Sequence, residues 1–222
     1  MPIDAVIFDM DGVLVDSEPL HFTTTNEVLA RRGVSLEQGA YNECIGMDEP
    51  AFFALLIERF GLDEPPDLLA RERLTSALVR LATSPLPPME GVLELLISLQ
   101  ADGKALALAS SATRAQVDLI LDQLGITRLF SAIVTKDDVE HGKPAPDLFL
   151  EAARQLGLEP AGCLVIEDAV LGVEAARAAE MEALAFVSAG RDGAEHLGAG
   201  ALAVLTSFSG MTAEKLEKLT ES

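Results

Sequence analysis

Apolar positions recur along this chain with two different periods, and the change from one to the other divides it. Residues 3–8 read as a strand, apolar without a break from Ala5 to Phe8. From Leu20 onward the period is helical. The pattern predicts helices over 20–32, ending at Gly33 where a helix-terminating glycine belongs, and over 36–44, 49–60 and 67–83. Phe52, Phe53, Leu56, Ile57 and Phe60 share one helical face, the spacing of a core-facing stripe. Nothing between Pro19 and Thr83 reads as a strand, so residues 16–85 are expected to form a separate all-helical domain. The run Ser84-Pro85-Leu86-Pro87-Pro88 suits a semi-rigid return linker.

Beyond that linker, helices expected over 91–101, 113–124, 147–156 and 171–180 alternate with strands over 105–109, 132–134, 163–166 and 183–187. Weaker patterns mark a last strand over 201–205 and a closing helix over 212–219, with Thr212 as its N-cap. Nearly continuous apolar strands separated by amphipathic helices mean an α/β fold with a doubly wound parallel sheet covered on both faces. The first strand reads like the rest. The sheet domain is therefore expected to be discontinuous, residues 1–15 and 86–222, with the helical domain inserted after the first strand.

Composition removes whole classes of partner. The 222 residues carry 16 Lys and Arg against 36 Asp and Glu, a formal charge of −20, whereas nucleic acid or an anionic membrane surface requires a basic face. No apolar run reaches the ~20 residues of a membrane span. The first residues show neither a basic n-region nor a small-residue cleavage site, and Cys44 and Cys163 suit reduced, buried thiols, so a cytoplasmic location is expected. There are no repeats or low-complexity tracts, and a monomer is the default expectation.

The chemistry gathers at strand ends. Asp9 and Asp11 close the first strand two residues apart and so leave on the same side; their repulsion is relieved most simply by a hard cation such as Mg2+. Gly12 behind them permits a sharp turn and a close backbone approach to a ligand. The strand over 105–109 ends in Ser110-Ser111 before a helix, the strand over 132–134 leads into a loop with Lys143-Pro144, and the strand over 163–166 ends in Glu167-Asp168. Serines cap helices and acids follow strands routinely, so each is weak alone. In open parallel sheets, however, ligands gather beyond the carboxyl ends of the strands, and all four clusters lie there.

Such a set suits phosphoryl transfer to a carboxylate. Asp9 would be the nucleophile, forming an aspartyl-phosphate. Asp9, the Asp11 backbone oxygen and Asp168 would hold Mg2+, with Glu167 nearby. Lys143 would add a point charge, and the Ser110 hydroxyl with the Ser111 amide at a helix N-terminus would hold phosphate oxygens. Asp11 would serve as acid towards the leaving alcohol and then as base towards water.

Asp9-Met10-Asp11-Gly12-Val13, Ser110, Gly142-Lys143-Pro144 and Glu167-Asp168 resemble the four ordered motifs of the haloacid dehalogenase superfamily, in particular its phosphatase and β-phosphoglucomutase branch. The resemblance spans nearly the whole chain. It implies a Rossmann-like core, Mg2+, and a mobile helical cap that closes over the phosphate of a small phosphorylated metabolite and excludes water. The dehalogenases themselves lack the second aspartate of the first motif. Phosphonoacetaldehyde hydrolases use a cap lysine, whereas no lysine precedes Lys104 here. Between phosphatase and mutase, His21 matches a cap-hinge histidine found in both. In the loop Ile45-Gly46-Met47-Asp48-Glu49 an acid stands where mutases place the arginine that holds a second phosphate. That favours hydrolysis of a phosphorylated sugar or polyol, with the mutase as alternative. A non-catalytic binding domain is disfavoured by the presence of both Asp9 and Lys143.

The expected substrate contacts are Met10, Gly12, Ser110, Ser111 and Lys143 in the sheet domain, with His21, Met47 and Glu49 in the helical one. His141 is expected to face solvent, and His196 has no reactive neighbour in sequence. Arg31, Arg32, Arg59, Arg71, Arg73 and Arg80 read mostly as a solvated face, one or two of which could reach a substrate.

Overall fold

A computed structural model describes residues 3–45, 47, 49–187 and 192–220. Strand β1 (Ala5–Phe8) is followed by helices α1 (Glu18–Ala30), α2 (Gln38–Asn42), α3 (Glu49–Phe60) and α4 (Pro66–Thr83). Helix and strand then alternate: α5 (Val92–Ala101), β2 (Ala105–Ser110), α6 (Arg114–Leu124), β3 (Ala132–Thr135), α7 (Asp147–Leu156), β4 (Cys163–Glu167), α8 (Val170–Ala178) and β5 (Glu182–Phe186). Helix α9 (Ala194–Ala199), strand β6 (Ala203–Leu205) and helix α10 (Ala213–Thr220) complete the order. The chain divides into two compact units, Met1–Asp16 with Leu86–Ser222, and Ser17–Pro85.

In the first unit the six strands pair in parallel, in the order β3-β2-β1-β4-β5-β6. The winding direction reverses between β1 and β4, which places the ends of those two strands side by side. Phe8 pairs with both Leu108 and Ile166, so Asp9 emerges level with the ends of β2 and β4. The two faces of the sheet are built differently. One presents small residues, among them Ala107, Ala109, Ala183 and Ala185, and lets Phe149 and Ala152 of α7 and Val173 and Ala176 of α8 approach closely. The other buries larger side chains, including Val6, Phe8, Leu106, Leu164 and Ile166. There Phe8 meets Phe130 edge-on, and Phe186 stacks on Phe208 with centroids 4.2 Å apart. Burial on both faces explains why the strands read as apolar runs rather than alternations.

The second unit is organised on the stripe of α3. Phe52, Phe53 and Leu56 are buried with Val28, Leu29, Tyr41 and Leu69, while Ile57 and Phe60 pack at the margin. An edge-to-face chain runs Phe22–Tyr41–Phe52–Phe53. Cys44 and Cys163 are buried and free. Among the described residues, no helix is long and apolar enough to cross a membrane.

Three expectations need correction. The helix predicted over 36–44 forms only over Gln38–Asn42, because the Asn26 side chain clasps Leu36 outside it: Leu36 N donates to Asn26 Oδ1 at 2.8 Å, and Asn26 Nδ2 donates to Leu36 O at 3.1 Å. Ser111 does not stand at a helix N-terminus. Thr113 takes the N-cap of α6 in a reciprocal capping box with Gln116, so the first turn begins three residues beyond Ser111. Finally, α9 forms in the stretch around His196 that the sequence leaves between loop and helix, and β6 starts two residues late, because Gly200 with φ +115 ends α9 by a left-handed turn.

Candidate active site

The turn that follows β1 is pinned by the carbonyl of Met10, which accepts the N–H groups of Val13 (3.3 Å), Leu14 (2.8 Å) and Val15 (3.2 Å). Such a turn requires a left-handed residue, and Gly12 supplies it with φ +76. A second constraint acts at the same position. A Cβ on Gly12 would lie 2.1 Å from Oδ2 of Asp168, so only glycine lets that carboxylate close in. Met10, an expected substrate contact, is buried.

Lys143 lies in the loop after β3 and reaches back beneath β2. Its Nζ donates to Asp9 Oδ1 at 2.6 Å, to Glu167 Oε1, and to the carbonyl of Ala109 at 3.5 Å, and it lies 5.2 Å from the ring centroid of Phe149. All three side chains are withdrawn from water, with exposures of 8% for Lys143, 7% for Asp9 and 1% for Glu167. Glu167 is held at both oxygens, since Oε2 accepts the N–H of Ala169 at 2.7 Å. Gly172 makes room for it, because a Cβ there would fall 2.0 Å from its carboxyl.

The result is one buried cation among several buried acids. Burial raises the Asp9 carboxyl to about 7, opposed by the Lys143 charge and assisted by the negative charges of Glu167 and Asp11. Asp168 is likewise raised by burial and by the neighbouring carboxylates Glu167 and Asp9. For Lys143 burial acts downward, but the attraction of Asp9 and Glu167 outweighs it and holds the ammonium form well above its ordinary range. Asp9, Glu167 and Asp168 each bring an oxygen within 4.8 Å of the others. An all-oxygen donor set carrying more negative charge than the lysine beside it balances fits a hard divalent cation.

The remaining expected residues are placed as follows. Ser110 is fully buried at the end of β2, where its Oγ accepts the N–H of Ala112 at 3.0 Å, and Ser111 beside it is exposed. In the helical unit, Arg73 donates from Nη1 to His21 Nδ1 at 2.5 Å and from Nη2 to Glu49 Oε1, and packs over Phe53. His21 and Glu49 thus meet through an arginine that the sequence left among five others. Met47 is 42% exposed, while Gly46 and Asp48 of its loop lie outside the described residues. His141 is exposed beside Asp147, at 3.1 Å. His196, unremarkable in sequence, places Nε2 at 2.7 Å from the carbonyl of Asp168.

Comparison with known proteins points the same way. Residues 6–186 match the family model described as haloacid dehalogenase-like hydrolase. The fructose-1-phosphate phosphatase YqaB of Escherichia coli K12 is 35% identical over 181 residues, 81% of this chain and 94% of that protein. A phosphorylated carbohydrates phosphatase of Thermotoga maritima is 31% identical, over 91% of this chain and 94% of its own. A crystal structure of a putative β-phosphoglucomutase, also from Thermotoga maritima, superposes with a TM-score of 0.78 at 30% identity, covering 99% of both chains.

Proposed function

The chain belongs to the haloacid dehalogenase-like hydrolases, and from that membership we infer a Mg2+-dependent phosphatase that cleaves a small phosphorylated metabolite, a sugar phosphate, through an aspartyl-phosphate. One observation carries the reading: the Asp9 carboxyl, buried and set 2.6 Å from Lys143, in a cluster that Glu167 and Asp168 complete. Two relatives that are phosphatases of phosphorylated carbohydrates support the substrate class.

Asp9, the main-chain oxygen of Asp11 and Asp168, with Glu167 beside them, would hold Mg2+, whose charge offsets the repulsion between a carboxylate and a phosphate dianion. Asp9 attacks phosphorus as Asp11 protonates the departing alcohol oxygen. Asp11 then takes a proton from water, which hydrolyses the acyl phosphate and regenerates Asp9. Lys143 fixes the attacking carboxylate and adds positive charge beside the transferring group. Ser110, Ser111 and the backbone of Met10 and Gly12 orient its oxygens. The helical unit would act as the cap, with His21, Met47 and Glu49 meeting the leaving group.

The β-phosphoglucomutase likeness favours a second reading, a sugar-phosphate mutase. Against it, an acid, Glu49 at the first position of α3, stands where a second phosphate would need a cation. Phosphate release from a panel of phosphorylated sugars and polyols tests the hydrolase, with a selective peak for one of them as the expected result. A flat, weak profile would count against a dedicated sugar phosphatase. Conversion of β-glucose 1-phosphate to glucose 6-phosphate, given a trace of bisphosphate, would establish the mutase instead.

A pH dependence follows from Asp9. Its folded carboxyl is raised, so the metal-free protein draws stability from this proton below about pH 4 and loses it as pH rises through about 7. A bound cation requires the ionised form. The rise in melting temperature on adding Mg2+ should therefore be larger at about pH 8 than at about pH 6. Equal shifts at both would remove Asp9 from the ligand set.

A further inference from the structure

Helix α9 supplies none of the groups used above, yet it delivers a side chain to the end of β4. The Asp168 carbonyl can only accept, so His196 Nε2 carries the ring proton and donates it across 2.7 Å. The same peptide group is gripped at its other end, where the Ala169 N–H donates to Glu167 Oε2 at 2.7 Å. Two side chains thus fix one peptide plane. That plane is bonded directly to the Asp168 Cα, so holding it fixes the backbone from which the Asp168 carboxylate reaches its close seat on Gly12.

The mount that carries His196 is itself secured. A Cβ on Gly193 would fall 2.6 Å from Val204, so the start of α9 lies directly against β6. At its end, the carbonyl of Ala199 accepts from Arg177 of α8 at 3.4 Å. The histidine also carries a cost: among the described residues, Nδ1 is buried with no hydrogen-bond partner. A leucine of similar bulk would fill the space without that orphaned atom, so packing alone does not call for an imidazole here. What the imidazole adds is the donor at Nε2.

We propose that His196 is a positioning residue: by holding the Asp168–Ala169 peptide from outside the cluster, it sets the Asp168 carboxylate for the cation. The inference rests on the Mg2+ site proposed above. The test is calorimetric titration of MgCl2 into the full-length protein without substrate, for wild type and for His196→Gln, His196→Asn and His196→Leu. Glutamine can place its amide nitrogen where Nε2 stood, whereas asparagine is too short and leucine has no donor.

Glutamine should keep the dissociation constant within about threefold, while asparagine and leucine weaken it at least about tenfold, the usual scale for losing an outer-shell partner. At saturating Mg2+, kcat should return to within a few fold in all three. Wild-type affinity in both the asparagine and leucine variants would overturn the proposal, and so would equal losses in the glutamine and leucine variants. A lowered melting temperature with an unchanged dissociation constant would show a merely structural role. If the leucine variant does not fold, the glutamine–asparagine pair decides alone. Absence of saturable Mg2+ binding in the wild type is a separate result, which overturns the functional reading itself.

Discussion

Asp9→Asn is expected to lower phosphate release by at least about a thousandfold on every substrate that the wild type cleaves, and to leave the fold intact. The amide matches the carboxylate in shape but offers no anionic oxygen to phosphorus, so the covalent route closes while the packing stays. Stability should not suffer. At neutral pH the wild-type carboxylate sits in a buried place that opposes its charge, as its elevated value of about 7 records, and asparagine carries no charge to desolvate. Lys143 keeps Glu167 as its partner. In metal-free buffer at about pH 8 the variant should therefore melt no lower than wild type. Its response to Mg2+ should shrink, because one ligand has lost its charge. Retained turnover would remove Asp9 as nucleophile and leave the proposed mechanism without its first step.

The acids of the cluster can be read from the sequence because they stand at strand ends. A carboxylate at the end of an apolar run has its position set by the sheet, and strand order does the rest: β1 and β4 are neighbours, so Asp9 and Glu167 meet although 158 positions separate them. Side chains that act across elements leave no such trace. Arg73 looks like the other arginines of the helical unit, since its partners Glu49 and His21 lie 24 and 52 residues away on different helices. His196 is more obscure still. It sits on a six-residue helix, too short to show a period, and reaches its partner 28 residues back in the chain. Gly12 can be read as a turn glycine, but that it also seats Asp168, and that Gly172 seats Glu167, are reasons that lie in space rather than in sequence.

Lys143→Met should cost the fold more than any other single change in the cluster. The ammonium group lies between two carboxylates that are almost wholly buried, and removing it strands both. Breaking a buried pair from one side costs about 3–5 kcal/mol, which for a chain of this size lowers the melting temperature on the order of ten degrees. The loss should depend on pH. In the wild type, the raised lysine contributes its stability in full below about pH 10 and loses it only as pH rises through the folded value, so that contribution is constant from about pH 5 to 8. Without the lysine, the attraction that lowers the Asp9 carboxyl is lost, so Asp9 takes up a proton still more readily in the folded state. The deficit is then smaller at about pH 5, where Asp9 is neutral, and grows towards about pH 8 as Asp9 is forced to ionise. Adding Glu167→Gln to Lys143→Met removes one stranded charge and should restore much of the melting temperature at the higher pH. It should restore none of the activity, because the charge beside the transferring phosphoryl group is still missing. Unchanged melting of Lys143→Met across this range would mean that the buried triad holds no net charge balance worth breaking, and a double variant no more stable than the single one would mean that Glu167 is not the acid left stranded.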